Sequence, residues 1–184
     1  RYDRHGRRVM LSEILSPESR CHQLAHQIAL LDRSELLDEI VEASELEGGE
    51  SRRLLRIALA NYMAGAVMMP YGRFHEAVKV LRYDIDLLAR RFGADYEQVC
   101  NRLTSLQRPG DKGVPLFLVR MDCAGNVSQR LSANGFHFAR FGGVCPRWAL
   151  HRAFRAPDET RTEFVQMPDG STFFTVARLV ARPS

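Results

Sequence analysis

The chain has 184 residues, of which 45% are hydrophobic and 26% charged, with a formal net charge of +4. That is enough apolar side chain for one ordinary core, or two small ones, without disulfide staples. Four scattered cysteines argue against a small secreted disulfide scaffold, and no run of about eighteen apolar residues reads as a membrane span. Residues 1–8 hold no apolar stretch of the signal-peptide kind, and the few scattered thiols make a cytoplasmic setting the expectation. The first residue is Arg1 rather than Met, which reads as a piece of something longer. The positive balance favours anionic partners (nucleic acid, phosphates, nucleotides) without choosing among them.

Val9, Met10 and Leu11 read as a short strand after an Arg-rich start. Ser16-Pro17 supplies a hydroxyl N-cap and then proline at the first helical position. The helix it starts is predicted to run to Asp32, with Leu24, Ile28 and Leu31 as its apolar stripe. A second helix is predicted over residues 34–46, stopped by Gly48-Gly49. A third starts near Glu50 and ends at Met69-Pro70; its apolar residues fall on nearly every side, which predicts a central, buried helix. Residues 74–92 predict one further helix closed by Gly93, and residues 96–106 a shorter one. Arg108-Pro109-Gly110-Asp111-Lys112-Gly113 then breaks the helical pattern.

Beyond that break the texture turns strand-like. Residues 115–121 and 127–131 flank the turn Ala124-Gly125-Asn126. Residues 134–144 are aromatic and glycine-rich, and residues 146–154 read as a short helix. Residues 162–167 and 172–180 make a second hairpin about Pro168-Asp169-Gly170. The expected fold class is α+β. Its helical half covers residues 1–110 and its mostly antiparallel-sheet half covers residues 111–184, in one compact unit.

One segment has metallopeptidase spacing. A zincin helix needs two histidines at i and i+4, on one face, and a glutamate after the first as general base. His22-Gln23-Leu24-Ala25-His26 keeps both histidines but has glutamine in place of the base. His26-Gln27-Ile28-Ala29-Leu30 has the same glutamine substitution and loses the second histidine. A carboxamide takes no proton from zinc-bound water, so neither frame supports hydrolysis and no enzyme is expected.

Residues 20–30 resemble the zinc helix of the ImmA/IrrE family of bacterial metallopeptidase-like proteins, with His26 in the place of the first ligand. Ala60-Asn61-Tyr62-Met63-Ala64 and Met68-Met69-Pro70 are similar to that family's second marker. Active members carry an acidic ligand shortly before the asparagine; here Arg56, Ile57, Ala58 and Leu59 stand there. Leu106-Gln107-Arg108-Pro109-Gly110, the stretch from Gly135 to Gly143 and Cys145-Pro146 resemble the C-terminal domain of the short-chain fatty acyl transcriptional regulators. The two resemblances cover essentially the whole chain and imply a degenerate zincin scaffold. They further imply the sensory part of a regulator of propionate and short-chain fatty acid metabolism, which binds a short-chain acyl-CoA. DNA would be bound through an N-terminal helix-turn-helix outside this chain, and a homo-oligomer is expected.

An acyl-CoA site needs cations for phosphates, an aromatic face for adenine and an apolar tunnel for the acyl end. Arg82, Tyr83, Arg108, His137 and Arg140 are candidates for the polar end, and Tyr62, Met63, Met68, Tyr71 and Phe74 for the tunnel. Aromatic and methionine stripes on a buried helix also serve simply as core, and single arginines as solvated surface. Strand alternation through residues 136–140 would put Phe136, Phe138 and Arg140 on one face.

Cys21, Cys100, Cys123 and Cys145 are candidate metal ligands. A ligand cysteine followed by proline, as at Cys145-Pro146, recurs at iron–sulfur sites, and four thiolates from distant elements suit a [4Fe–4S] cluster with redox sensing. No C-x-x-C is present, so a zinc ribbon fits less well, and four unrelated buried thiols remain the plain alternative. His22 or His26 is an alternative ligand in place of Cys21. Two rival functions stay open beside the sensor: a degenerate metallopeptidase-like domain with structural zinc, and direct nucleic-acid binding. The latter would use Arg4, Arg7, Arg8, Arg52, Arg53, Arg56, Arg90 and Arg91, although no base-reading motif is visible.

Overall fold

The computed structural model describes residues 2–3, 5–133, 149–167 and 169–180. The chain divides into two compact units between Gly113 and Val114. The first opens with a two-stranded antiparallel hairpin, β1 (Tyr2–Asp3) and β2 (Arg8–Val9). Six helices follow: α1 (Pro17–Asp32), α2 (Ser34–Glu42), α3 (Gly49–Met68), α4 (Tyr71–Val80), α5 (Ile85–Phe92) and α6 (Tyr96–Thr104). The fold class is α+β, as the sequence predicts.

α1 begins where Ser16-Pro17 places it. The Ser16 hydroxyl accepts the Ser19 amide at 3.2 Å, satisfying one of the orphan donors of the first turn. α6 starts on a full capping box, in which Asp95 accepts the Gln98 amide and Gln98 accepts the Asp95 amide.

Two expectations are corrected. Residues 74–92 are not one helix: α4 ends at Val80, and the chain resumes helix only at Ile85. Arg82 and Tyr83 both adopt left-handed backbone angles, with φ of 51° and 62°. The Asp84 carboxylate then accepts the Leu87 amide and caps α5. α3 is also not buried on all sides. It packs against α1, α2 and α6, through the fully buried Ala60 and Ala64. Leu54, Ile57, Tyr62 and Val67 remain exposed.

Phe74, Val78, Leu88, Val99, Leu103 and Leu106 are buried in the first unit. Phe74 meets Phe92 edge-on, with ring centroids 5.2 Å apart. A second cluster joins α1, α2 and α3 through Ala29, Leu37 and Ala60, with Leu30, Leu59 and Met63 packed against it.

The second unit holds two antiparallel hairpins, β3 (Phe117–Met121) with β4 (Val127–Ser132), and β5 (Arg161–Gln166) with β6 (Thr172–Ala177). The short helix α7 (Ala149–Ala153) packs on the second of these. The β3–β4 turn is held by Asp122, whose carboxylate accepts the amides of Ala124 and Asn126. Ala149, Ala153 and Ala177 form a small buried cluster between α7 and β6. Glu163 on β5 accepts the Ala149 amide at the start of α7 and pairs with Arg152 on the same helix. Among the described residues, no helix is long and apolar enough to cross a membrane.

Candidate functional site

Two places in the first unit gather polar chemistry. The first is a cleft of about 410 Å³ lined by β2 with the segment that follows it, α1 and α3. Val9, Leu11 and Ile57 give it apolar walls; His22, Gln23, His26 and Gln27 from α1 and Asn61 from α3 give it polar ones. The i, i+4 spacing on α1 puts the two imidazoles on the same face. Burial holds both below the ordinary histidine range; for His22, Asp95 and Glu97 act in the opposite direction, and for His26 the neighbouring His22 adds to the lowering. The Nε2 atom of His26 is buried with no hydrogen-bond partner among the described residues.

The hydrolytic zinc implied by the scaffold does not fit these residues. Leu30, at the second ligand position, packs into the Ala29–Leu37–Ala60 cluster. Arg56, among the positions where an acidic ligand belongs, donates to Asp38 at 2.6 Å and to Ser34 at 2.8 Å. One imidazole, no carboxylate and a carboxamide at the base position make no peptidase centre.

The second place is an arginine–tyrosine stack around the segment that follows α6. Arg102 on α6 is buried, with its Nε donating to the Met69 carbonyl at 2.9 Å and Nη1 to Ser105 Oγ at 3.1 Å. Its guanidinium lies 5.6 Å from the ring centroid of Tyr62 and 5.9 Å from that of Tyr71. Arg108 covers Tyr71 at 4.1 Å. The Tyr71 hydroxyl donates to the Asp111 carbonyl at 2.6 Å and accepts the Arg108 amide at 3.1 Å. The Asp111 carboxylate lies 2.8 Å from Nδ1 of the buried His75 and 3.7 Å from Lys79. Gly110, with φ of 81°, supplies the turn that Pro109-Gly110 predicts.

Of the residues singled out in the sequence, Tyr62, Tyr71 and Arg108 come together in this stack. Arg82 is exposed on the α4–α5 link, and Tyr83 beside it reaches Gly113 with its hydroxyl. Phe74 stands in the core against Phe92, and Met63 and Met68 are half-buried on α3. Phe136, His137, Phe138 and Arg140 lie outside the described residues, as does Cys145. Cys21 is exposed on α1, Cys100 half-buried on α6 and Cys123 exposed in the β3–β4 turn. Among the described residues, no three His, Cys, Asp or Glu side chains gather in a metal-binding group.

Arg102, His75 and Asp111 escaped the sequence reading. Arg102 carried a signal: it sits between Val99, Leu103 and Leu106 on the face that α6 buries, where an arginine needs a partner.

Comparison with known proteins extends these observations. The IrrE N-terminal-like domain matches residues 1–104. The C-terminal domain of short-chain fatty acyl coenzyme A regulators matches residues 105–184. The chain belongs to this two-part family. The HTH-type transcriptional regulator PrpR of Mycobacterium tuberculosis is 47% identical over 98% of this chain and 37% of its own length. The propionyl-CoA carboxylase regulator of Cereibacter sphaeroides is 44% identical over 98% of this chain and 39% of its own length. A solved Mycobacterium tuberculosis transcriptional regulator superposes with a TM-score of 0.92 at 47% identity, over 97% of this chain and 54% of that one. The family member described here thus spans less than two fifths of the length of these curated relatives.

Proposed function

We propose that this chain is the sensory, non-catalytic part of a bacterial DNA-binding transcription regulator of propionate and short-chain fatty acid metabolism, and that it binds a short-chain acyl-CoA. The observation that carries the reading is the pair of consecutive family matches along the whole chain, in a family whose relatives are named for transcription and for propionyl-CoA carboxylase regulation. The arginine–tyrosine stack supports it with suitable chemistry. Exposed Arg108 offers a cation for phosphate, and the Tyr62 and Tyr71 rings offer π-faces. The consecutive left-handed residues Arg82 and Tyr83 are a local strain of the kind that clusters at ligand sites. Met63, His137 and Arg140 complete the proposed CoA-binding set, while Phe74, fully buried against Phe92, serves the core. DNA is reached through a helix-turn-helix outside this chain, and the ligand acts by shifting a homo-oligomer between states of different DNA affinity.

The test is thermal stabilisation of the purified chain by propionyl-CoA, acetyl-CoA and free CoA. Saturable stabilisation that grows with ligand concentration supports the reading. No shift with any CoA species sinks it. Cys21, Cys100, Cys123 and Cys145 are proposed as ligands of a [4Fe–4S] cluster. Anaerobic purification with iron and sulfide analysis tests that separately, and a colourless, metal-free protein would overturn the cluster.

A further inference from the structure

We propose that the outward face of α1 is the surface on which two copies of this chain pair, antiparallel, about a twofold axis. This rests on one part of the reading above, the homo-oligomer, and assigns its interface. Leu24, Ile28 and Leu31 follow one another at spacings of four and three, so they form a single apolar stripe. Such a stripe normally marks the side of a helix that the core takes. Here the core takes another side: Ala29 packs with Leu37 and Ala60, and Leu24 and Leu31 stand about 140–160° round the helix from it. Leu24, Ile28 and Leu31 are 41%, 54% and 48% exposed. Leu36 and Ile40, similarly exposed, carry apolar surface on to α2, which only Arg33 separates from α1.

Charge, symmetry and area each point to a second copy as the occupant. The eleven residues from Cys21 to Leu31 include no Asp, Glu, Lys or Arg, whereas α2 has four acids in nine residues. The centre of a protein interface is depleted in charge in this way, while a helix face kept in water is normally rich in it. The two ends of the stripe are complementary. Arg20 stands one turn before Leu24, and exposed Glu35 follows Leu31 by four residues. Asp32, between them, is already paired with Arg33 at 3.0 Å. With the axis passing between Gln27 and Ile28, Leu24 of each copy meets Leu31 of the other, and Arg20 comes level with Glu35. That self-complementarity is what a twofold pair requires of one patch, and an unrelated partner would not impose it. The five half-exposed aliphatic side chains offer on the order of 400 Å² per copy, within the about 300–600 Å² of patches that are often functional. Homodimer interfaces are about 65% apolar, so two such faces make an interface of roughly 1,200 Å², where the stable class begins.

The test is sedimentation of the whole chain over about 1–100 μM, the range suited to an interface at the small end of its class. Expected is a reversible monomer–dimer equilibrium. Ile28→Glu sets two carboxylates beside the axis and should weaken the dimer more than about a hundredfold, since it removes a central anchor from both copies. Val80→Glu, at a position 68% exposed at the end of α4, leaves the dimer unchanged. Arg20→Glu weakens it by about fivefold, and adding Glu35→Arg restores it, because the pair is rebuilt with its signs exchanged. A monomeric unaltered chain overturns the proposal, as does a dimer that survives Ile28→Glu or that Val80→Glu breaks equally. An exchange variant as weak as Arg20→Glu alone overturns the antiparallel pairing. Stabilisation by propionyl-CoA is measured on the unaltered chain and on Ile28→Glu alike. A shift in both with no dimer in either removes this surface and leaves the sensor standing; a dimer with no shift does the reverse.

Discussion

Tyr71 holds Arg108 twice. Its hydroxyl accepts the Arg108 amide at 3.1 Å, and its ring carries the Arg108 guanidinium at 4.1 Å. The same hydroxyl donates to the Asp111 carbonyl, so one side chain of α4 fastens the chain segment that follows α6. Tyr71→Phe keeps the ring and loses both hydrogen bonds, at an expected cost of about 1 kcal/mol. Tyr71→Ala also frees the ring contacts. Trypsin should then cut after exposed Lys112 faster in Tyr71→Ala than in Tyr71→Phe, and faster in Tyr71→Phe than in the unaltered chain. Equal cleavage in all three would show that Tyr71 is no fastener.

Arg102 gives the second prediction. It is buried, and among the described residues it meets neutral groups: a carbonyl, a hydroxyl and two aromatic faces. Arg102→Ala strips the Met69 carbonyl of its donor, costing about 1–3 kcal/mol, and each lost cation–π contact adds about 0.5–1 kcal/mol. Arg102→Lys keeps the charge but not the planar fork, so it recovers only part of this. Urea unfolding midpoints in the order Arg, Lys, Ala check it. A lysine variant as stable as the original would show that charge alone matters.

How far these features could be read beforehand depends on the kind of signal. Ser16-Pro17, Asp95 with Gln98, and Pro109-Gly110 act locally, through caps and a turn, and the chain follows them. The break after Val80 has no glycine or proline to announce it. The apolar pattern runs on through Leu81, and two residues with Cβ atoms take the left-handed conformation instead. The one local cue was Asp84, an N-cap residue inside what reads as a single helix. α3 misled in the other direction: its apolar residues are many, but the small Ala60 and Ala64 make the close contacts. Tyr62, Tyr71 and Arg108 were legible as aromatic and cationic types. Their meeting depends on Arg102, from a different helix, and no spacing rule reaches that far.

Asp38 provides a pH test. The hydrogen bond from Arg56 holds its carboxyl below the ordinary aspartate range, with the charge of Arg56 and the Ser34 hydroxyl acting the same way. A folded-state value below the unfolded one means the stabilising contribution is present above about pH 3.9. It is lost as pH falls through the depressed value, because the unfolded chain then binds more protons. Asp38→Asn should therefore lower the unfolding midpoint at pH 7 and flatten its fall on further acidification below pH 4. Parallel acid curves for the two proteins would remove Asp38 from the account.

The exposed face of the β5–β6 hairpin makes the last case. Phe164 and Phe174 pair across the strands with centroids 5.2 Å apart, yet they are 76% and 57% exposed. Thr162 and Val176 pair on the same face, whereas Ala177 is buried in the cluster with α7. The aromatic pair contributes about 0.2–1 kcal/mol to the hairpin, as cross-strand pairs do. Its larger consequence is an apolar patch open to water. Replacing both residues by threonine keeps strand propensity and removes the patch. The double variant should lose no more than about 1 kcal/mol of stability while showing less concentration-dependent self-association by light scattering. A loss of several kcal/mol would mean that the two rings support the fold itself, and unchanged scattering would mean that the patch is inert.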